Sequence, residues 1–72
     1  MTKVISPYHV RFGKTLRDLR NDRDLTQEML AAKIDVDRSY IGFLERGEGN
    51  PSLTLLMSLA KVLGVKPYEL IK

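Results

Sequence analysis

The sequence predicts one compact, all-α domain of five short helices spanning residues 1–72. Three observations carry this reading. Apolar residues recur three and four apart, and no stretch shows the strict alternation of a strand. Residues that start and stop helices punctuate the chain at short intervals. The length is that of one small domain.

The first helix runs from about Pro7 to Arg23, with Phe12, Leu16 and Leu19 at i, i+4 and i+7 on one face. Pro7 suits the first turn, where its missing N–H costs nothing. Residues 1–6 ahead of it are expected to be a flexible lead. Thr26 then offers a hydroxyl cap to a second helix, with Gln27 and Glu28 in its first turn and Leu30, Ala31 and Ile34 on its inner face up to Asp35. Asp37 caps a third, which carries Ile41 and Leu44 inward as far as Arg46 and stops at Gly47. The stretch from Gly47 to Pro51 is a loop. Ser52 caps a fourth helix dense in apolar residues: Leu53, Leu55, Leu56, Met57, Leu59, Val62 and Leu63, closed by Gly64. Lys66-Pro67 opens a last short turn with Tyr68, Leu70 and Ile71.

Composition narrows the function. With 43% apolar and 29% charged residues the chain is ordinarily globular, and zero cysteines exclude a disulfide scaffold or thiolate chemistry. No apolar run approaches the ~20 residues of a membrane span, and Thr2 to Val10 lacks the core of a signal peptide, so a cytoplasmic protein is expected. The +3 charge is uneven. Residues 1–23 hold six bases (Lys3, Arg11, Lys14, Arg17, Arg20, Arg23) against two acids, whereas 24–72 hold six against seven. That asymmetry permits an anionic partner such as nucleic acid but does not prove one, since charges on a surface helix are usually just a solvated face. His9 stands alone without ligand-spaced partners, and Gly47 and Gly49 lack the Lys-Ser/Thr of a phosphate loop. No catalytic residue, metal, cofactor or small-molecule ligand is expected.

The informative unit is Gln27 to Arg46: two short helices, a tight turn, the small Ala31 where they cross, and inward anchors Leu30, Ile34, Val36, Ile41 and Leu44. A plain helical hairpin has the same apolar pattern. The face left over decides for DNA, because Arg38, Ser39, Gly42 and Phe43, with Tyr40 to one side, would point outward. Arg can donate two bonds to guanine, Ser can meet several base edges, and an aromatic ring can meet a thymine methyl. Gly42 would let the helix lie close to the groove floor.

With these residues in place the chain from about Phe12 to Leu70 resembles the Cro/phage-repressor-like helix-turn-helix family. The matching pieces are Leu25-Thr26-Gln27-Glu28, Ala31, Val36, Arg38-Ser39-Tyr40-Ile41, Glu45-Arg46-Gly47, Asn50-Pro51-Ser52-Leu53 and Ala60 to Val65. The small size and the run Arg38 to Gly42 look most like the stand-alone controller proteins of restriction–modification systems. The resemblance implies a lambda-repressor-like fold with its helix-turn-helix at helices two and three. It implies base-reading by Arg38, Ser39 and Phe43, and backbone contacts from Thr26, Gln27, Tyr40, Arg46 and Asn50. It also implies a structural ion pair between Arg20 and Glu45. Two positions depart from the family. Asp24 and Asp35 stand where glycine is usual because the chain turns through positive φ, at a cost of about 1 kcal/mol each. Asp35, Asp37 and the non-basic loop Glu48-Gly49-Asn50 also argue for fewer phosphate contacts than usual.

On the fourth helix Leu53, Leu56, Leu59, Ala60 and Leu63 suffice for the core. Leu55, Val62, Tyr68 and Ile71 are then left over. Either the last turn wraps them inward, or they form a twofold interface that sets two recognition helices ~34 Å apart on DNA. The second is the expectation: a homodimeric regulator on a roughly palindromic operator in double-stranded DNA. The alternative is an antitoxin-type module that mainly holds a partner protein, though such modules commonly add a tail beyond the bundle and this sequence ends at Lys72.

Overall fold

The computed structural model describes residues 6–72. Five helices follow in order: α1 (Pro7–Asp22), α2 (Gln27–Lys33), α3 (Arg38–Glu45), α4 (Leu53–Leu63) and α5 (Tyr68–Ile71). No strand occurs among the described residues, and no helix there is long and apolar enough to cross a membrane.

Four helices start on side-chain caps. Ser6 Oγ accepts from the His9 N–H at 3.2 Å, Thr26 Oγ1 from Met29 at 3.0 Å, Asp37 Oδ2 from Ser39 at 3.0 Å, and Ser52 Oγ from Leu55 at 3.1 Å. Each bond satisfies one of the amides that a helix start leaves without an intrahelical partner. Ser6, which the sequence places in a flexible lead, is instead the α1 cap, and residues 1–5 lie outside the described residues.

The same four helices end alike. Asp24, Asp35, Gly47 and Gly64 take φ of 55°, 58°, 77° and 71°. The residue after each donates back along the chain: Leu25 to Arg20 O, Val36 to Ala31 O, Glu48 to Phe43 O and Val65 to Ala60 O, at 3.0–3.2 Å. This closure satisfies otherwise unpartnered carbonyls and turns the chain sharply. Leu25, Val36 and Val65 then fold their side chains onto the core.

That core is drawn from every helix: Phe12 and Leu16, Leu30 and Ala31, Ile41 and Leu44, Leu56, Leu59, Ala60 and Leu63, and Leu70. Full burial of one such large side chain contributes about 1.5–3 kcal/mol. α2 packs on α3, while α1 packs on α3 and on α5. Gly13 permits the α1–α3 approach, since a Cβ there would fall 2.5 Å from Leu44 O and 2.6 Å from Glu45 O. Gly47 combines its positive φ with a similar demand, its missing Cβ lying 2.8 Å from Val10 Cα.

α4 turns Leu56, Leu59, Ala60 and Leu63 into the core as expected and departs from expectation only at its margins. Leu53, assigned above to the core, is 74% exposed, while Leu55 and Val62, assigned above to the surplus, are half-buried against the core. Apolar residues flank the core stripe of this helix on both sides, so their spacing could not choose which margin packs inward. Met57, Tyr68 and Ile71 are exposed.

Candidate nucleic-acid interface

α2 and α3 are joined by residues 34–37, a turn made possible by Asp35 in the left-handed region. Ala31 lies buried where the two helices meet, with Leu30, Ile41 and Leu44 wholly out of solvent. The outer side of α3 is thereby held at a set angle to α2.

A polar cluster locks that angle from one end. The Arg20 guanidinium donates from Nε to Glu45 Oε2 at 2.6 Å and from Nη2 to Oε1 at 2.9 Å. Its Nη1 donates to the Leu25 carbonyl at 2.7 Å, in the turn that leads to α2. Gln27, first residue of α2, donates from Nε2 to Glu45 Oε1 at 3.1 Å. Arg17 adds a longer ion pair to the same oxygen at 3.6 Å. The Glu45 side chain is wholly buried. Burial pushes its pKa up, but the bonds from Arg20 and Gln27 and the charges of Arg20 and Arg17 outweigh that and hold the carboxyl below its usual range. In return the bond to Glu45 raises Arg20 above its ordinary value. Three helices and one turn thus meet at a single carboxylate.

The residues expected to meet DNA fall into two groups. Arg38 and Ser39 are exposed at the first two positions of α3. Ser39 donates its backbone N–H and its hydroxyl proton to Asp37 Oδ2, and these bonds, more than the nearby Arg38 charge, lower the Asp37 pKa. Thr26, Arg46 and Asn50 lie at the surface as well, with Arg46 Nη2 paired to Glu48 at 3.2 Å.

Tyr40 and Phe43 are not the freely exposed pair that the sequence suggests. Both are half-buried and packed against the core, stacked with ring centroids 6.0 Å apart. Phe43 lies so close over Gly49 that a Cβ there would come within 2.1 Å of its Cε2. Its ring is the seat of the α3–α4 loop. Gly42 also differs from expectation: it is buried, and its missing Cβ faces Arg46 Nη1 at 3.1 Å and Gln27 Oε1 at 3.6 Å.

The basic first segment is partly committed to the fold. Arg20 serves Glu45, and Arg23 donates to the carbonyls of Leu63, at the end of α4, and of Leu19. The sequence gives no sign of what Gly13 and Arg23 do here, because each acts on a residue far along the chain.

Two helices crossing at a small residue, with an exposed polar start on the second, define a helix-turn-helix protein. The chain belongs to the helix-turn-helix family, whose sequence pattern matches residues 16–70. It is 44% identical over 62 residues to the control protein C.MunI of Mycoplasma sp, covering 85% of this chain and 84% of that one. It is 39% identical to the control protein C.BamHI of Bacillus amyloliquefaciens, covering 83% and 75%. Its backbone is similar to the crystal structure of the restriction-modification controller protein C.AhdI from Aeromonas hydrophila, with a TM-score of 0.82, 47% identity, and 86% and 94% of the two chains covered.

Proposed function

We propose that the protein is a cytoplasmic, sequence-specific DNA-binding regulator of transcription, of the kind that controls restriction–modification genes, acting as a homodimer on a roughly palindromic operator. The observation that carries this reading is the exposed start of α3, with Arg38 and Ser39 outermost, fixed against α2 by the Glu45 cluster. Arg38 donates to guanine O6 and N7 in the major groove. Ser39, whose hydroxyl can donate or accept, suits a neighbouring base edge. Thr26, Gln27, Tyr40, Arg46 and Asn50 follow the phosphate backbone, which positions the protein without reading sequence. Phe43, half-buried over Gly49, braces the loop and meets a thymine methyl with the part of its ring left exposed. Occupancy of the operator then blocks or recruits polymerase. Relatives that are restriction–modification control proteins, alike over most of both chains, support the choice of genes.

Selection of duplexes from a random-sequence pool tests the reading. Wild-type protein should enrich a motif with two inverted half-sites. Arg38→Ala should lose ~1–3 kcal/mol per contact and relax preference at one base pair of each half. Enrichment of no motif would overturn sequence-specific binding, and uniform weakening by Arg38→Ala would make that residue a phosphate contact.

A further inference from the structure

Gln27 is flanked by two arginines, and the missing Cβ of Gly42 leaves a notch in α3 that the Arg46 and Gln27 side chains cover. Arg17 approaches the Glu45 oxygen that already accepts from Gln27, and Arg46 lies beside Gln27 across the bare Cα of Gly42. Glu45 does not need Arg17. Its charge is matched by Arg20 through two short bonds, and it accepts a third from Gln27. At 3.6 Å the Arg17 contact is too long for a hydrogen bond, and no guanidinium N–H of Arg17 is hydrogen-bonded among the described residues. Its side chain is 52% exposed. One carboxylate facing two guanidiniums leaves a surplus positive charge, and the accessible member of the pair holds it.

We propose that Arg17, Gln27 and Arg46 form a seat for one backbone phosphate over the Gly42 notch, with Arg17 the charge that swings from Glu45 to the phosphate. The inference rests on the DNA-binding reading above and adds to it a residue of α1, outside the helix-turn-helix. A guanidinium offers five N–H donors in a planar fork suited to phosphate oxygens, and leaving Glu45 costs little because Arg20 stays in place. The notch explains the glycine. A Cβ at position 42 would reach 3.1 Å from Arg46 Nη1, the far end of a flexible side chain, so it would displace that group without straining the backbone.

Fluorescence anisotropy on a duplex selected by the wild-type protein, titrated across salt concentrations, reads the phosphate seat directly. Removing one phosphate–protein interaction lowers the slope of log K against log salt by about 0.9. Arg17→Ala should lower it by that amount per bound protomer and weaken binding about tenfold at fixed salt, with the preferred sequence unchanged. Arg17→Lys should retain the slope because it retains the charge. Gly42→Ala should melt no lower than wild type, since alanine favours a helix over glycine, yet bind more weakly through the filled notch. An Arg17→Ala protein with a lower melting temperature and an unchanged slope would make Arg17 a structural partner of Glu45 and overturn the proposal. So would a changed sequence preference in that variant, or wild-type affinity in Gly42→Ala. Wild-type protein that binds no duplex would remove the DNA-binding reading itself, and this inference with it.

Discussion

The Glu45 carboxylate accepts two bonds from Arg20 and one from Gln27 while lying wholly out of solvent. Removing it strands a buried guanidinium with only the Leu25 carbonyl for a partner. Breaking a buried pair from one side costs about 3–5 kcal/mol. A domain of this size has a total stability of roughly 5–15 kcal/mol and shifts by ~4–8 °C per kcal/mol. Glu45→Ala should therefore lower the melting temperature by more than ~10 °C in a calorimetric scan; an unchanged temperature would show that the cluster contributes nothing net. The pH dependence has a definite sign. The folded pKa lies below the unfolded one, so the stabilisation is fully present above the unfolded value of about 4.3 and fades as pH falls through the folded value. Unfolding free energy measured from neutral pH downward should fall, and the part due to Glu45 should vanish in Glu45→Gln. The Arg20–Glu45 pair was visible in the sequence only through family resemblance. Gln27 as its third member was not visible, because a bond between residues eighteen positions apart has no local signature.

Helix ends were the most legible features, and the reason is local chemistry. Thr26, Asp37 and Ser52 cap through their own side chains within three residues, and Gly64 ends α4 through its own backbone. Which margin of an apolar stripe packs inward is a tertiary matter instead. α4 is apolar on most sides, so only its neighbours decide that Leu53 is exposed and Val62 packs inward. Asp24 and Asp35 show how far a local rule reaches. Both take the positive φ that the family meets with glycine, and both tolerate it at a steric cost. Asp24→Gly and Asp35→Gly should each raise stability by about 0.5 kcal/mol, because relief of strain exceeds the added freedom of the unfolded chain. Urea unfolding of each variant and of the pair would check this; a lower midpoint would mean that the aspartate side chains stabilise these turns. Gly47 sets the contrast, since any side chain there meets the α1 backbone at Val10.

At the scale of the whole molecule, the outward sides of α4 and α5 carry Leu53, Met57, Tyr68 and Ile71, each more than half exposed. Lys72 lies 5.8 Å over the Tyr68 ring. Large exposed apolar side chains in such number are unusual for a small monomer and are the ordinary material of an interface. A single helix-turn-helix engages one half-site only, and the acidic Asp37 at the start of α3 opposes nearby phosphates. Joining two units on one duplex makes the second engagement intramolecular, so affinity rises steeply without a new base contact. The burial pattern selects the variant that tests this. Val62 is half-buried against the core, so a charge there would disturb the packing of α4 as well as any interface, whereas Ile71 is 57% exposed and lies outside the core. Ile71→Asp leaves the monomer intact and places a charge at each side of a twofold interface, where it would have to be desolvated twice. The variant should keep its helical circular dichroism, sediment as a monomer, and bind the selected duplex orders of magnitude more weakly than wild type. If it stays dimeric with wild-type affinity, the interface lies away from α5, and the exposed Leu53 and Met57 of α4 become the next positions to charge.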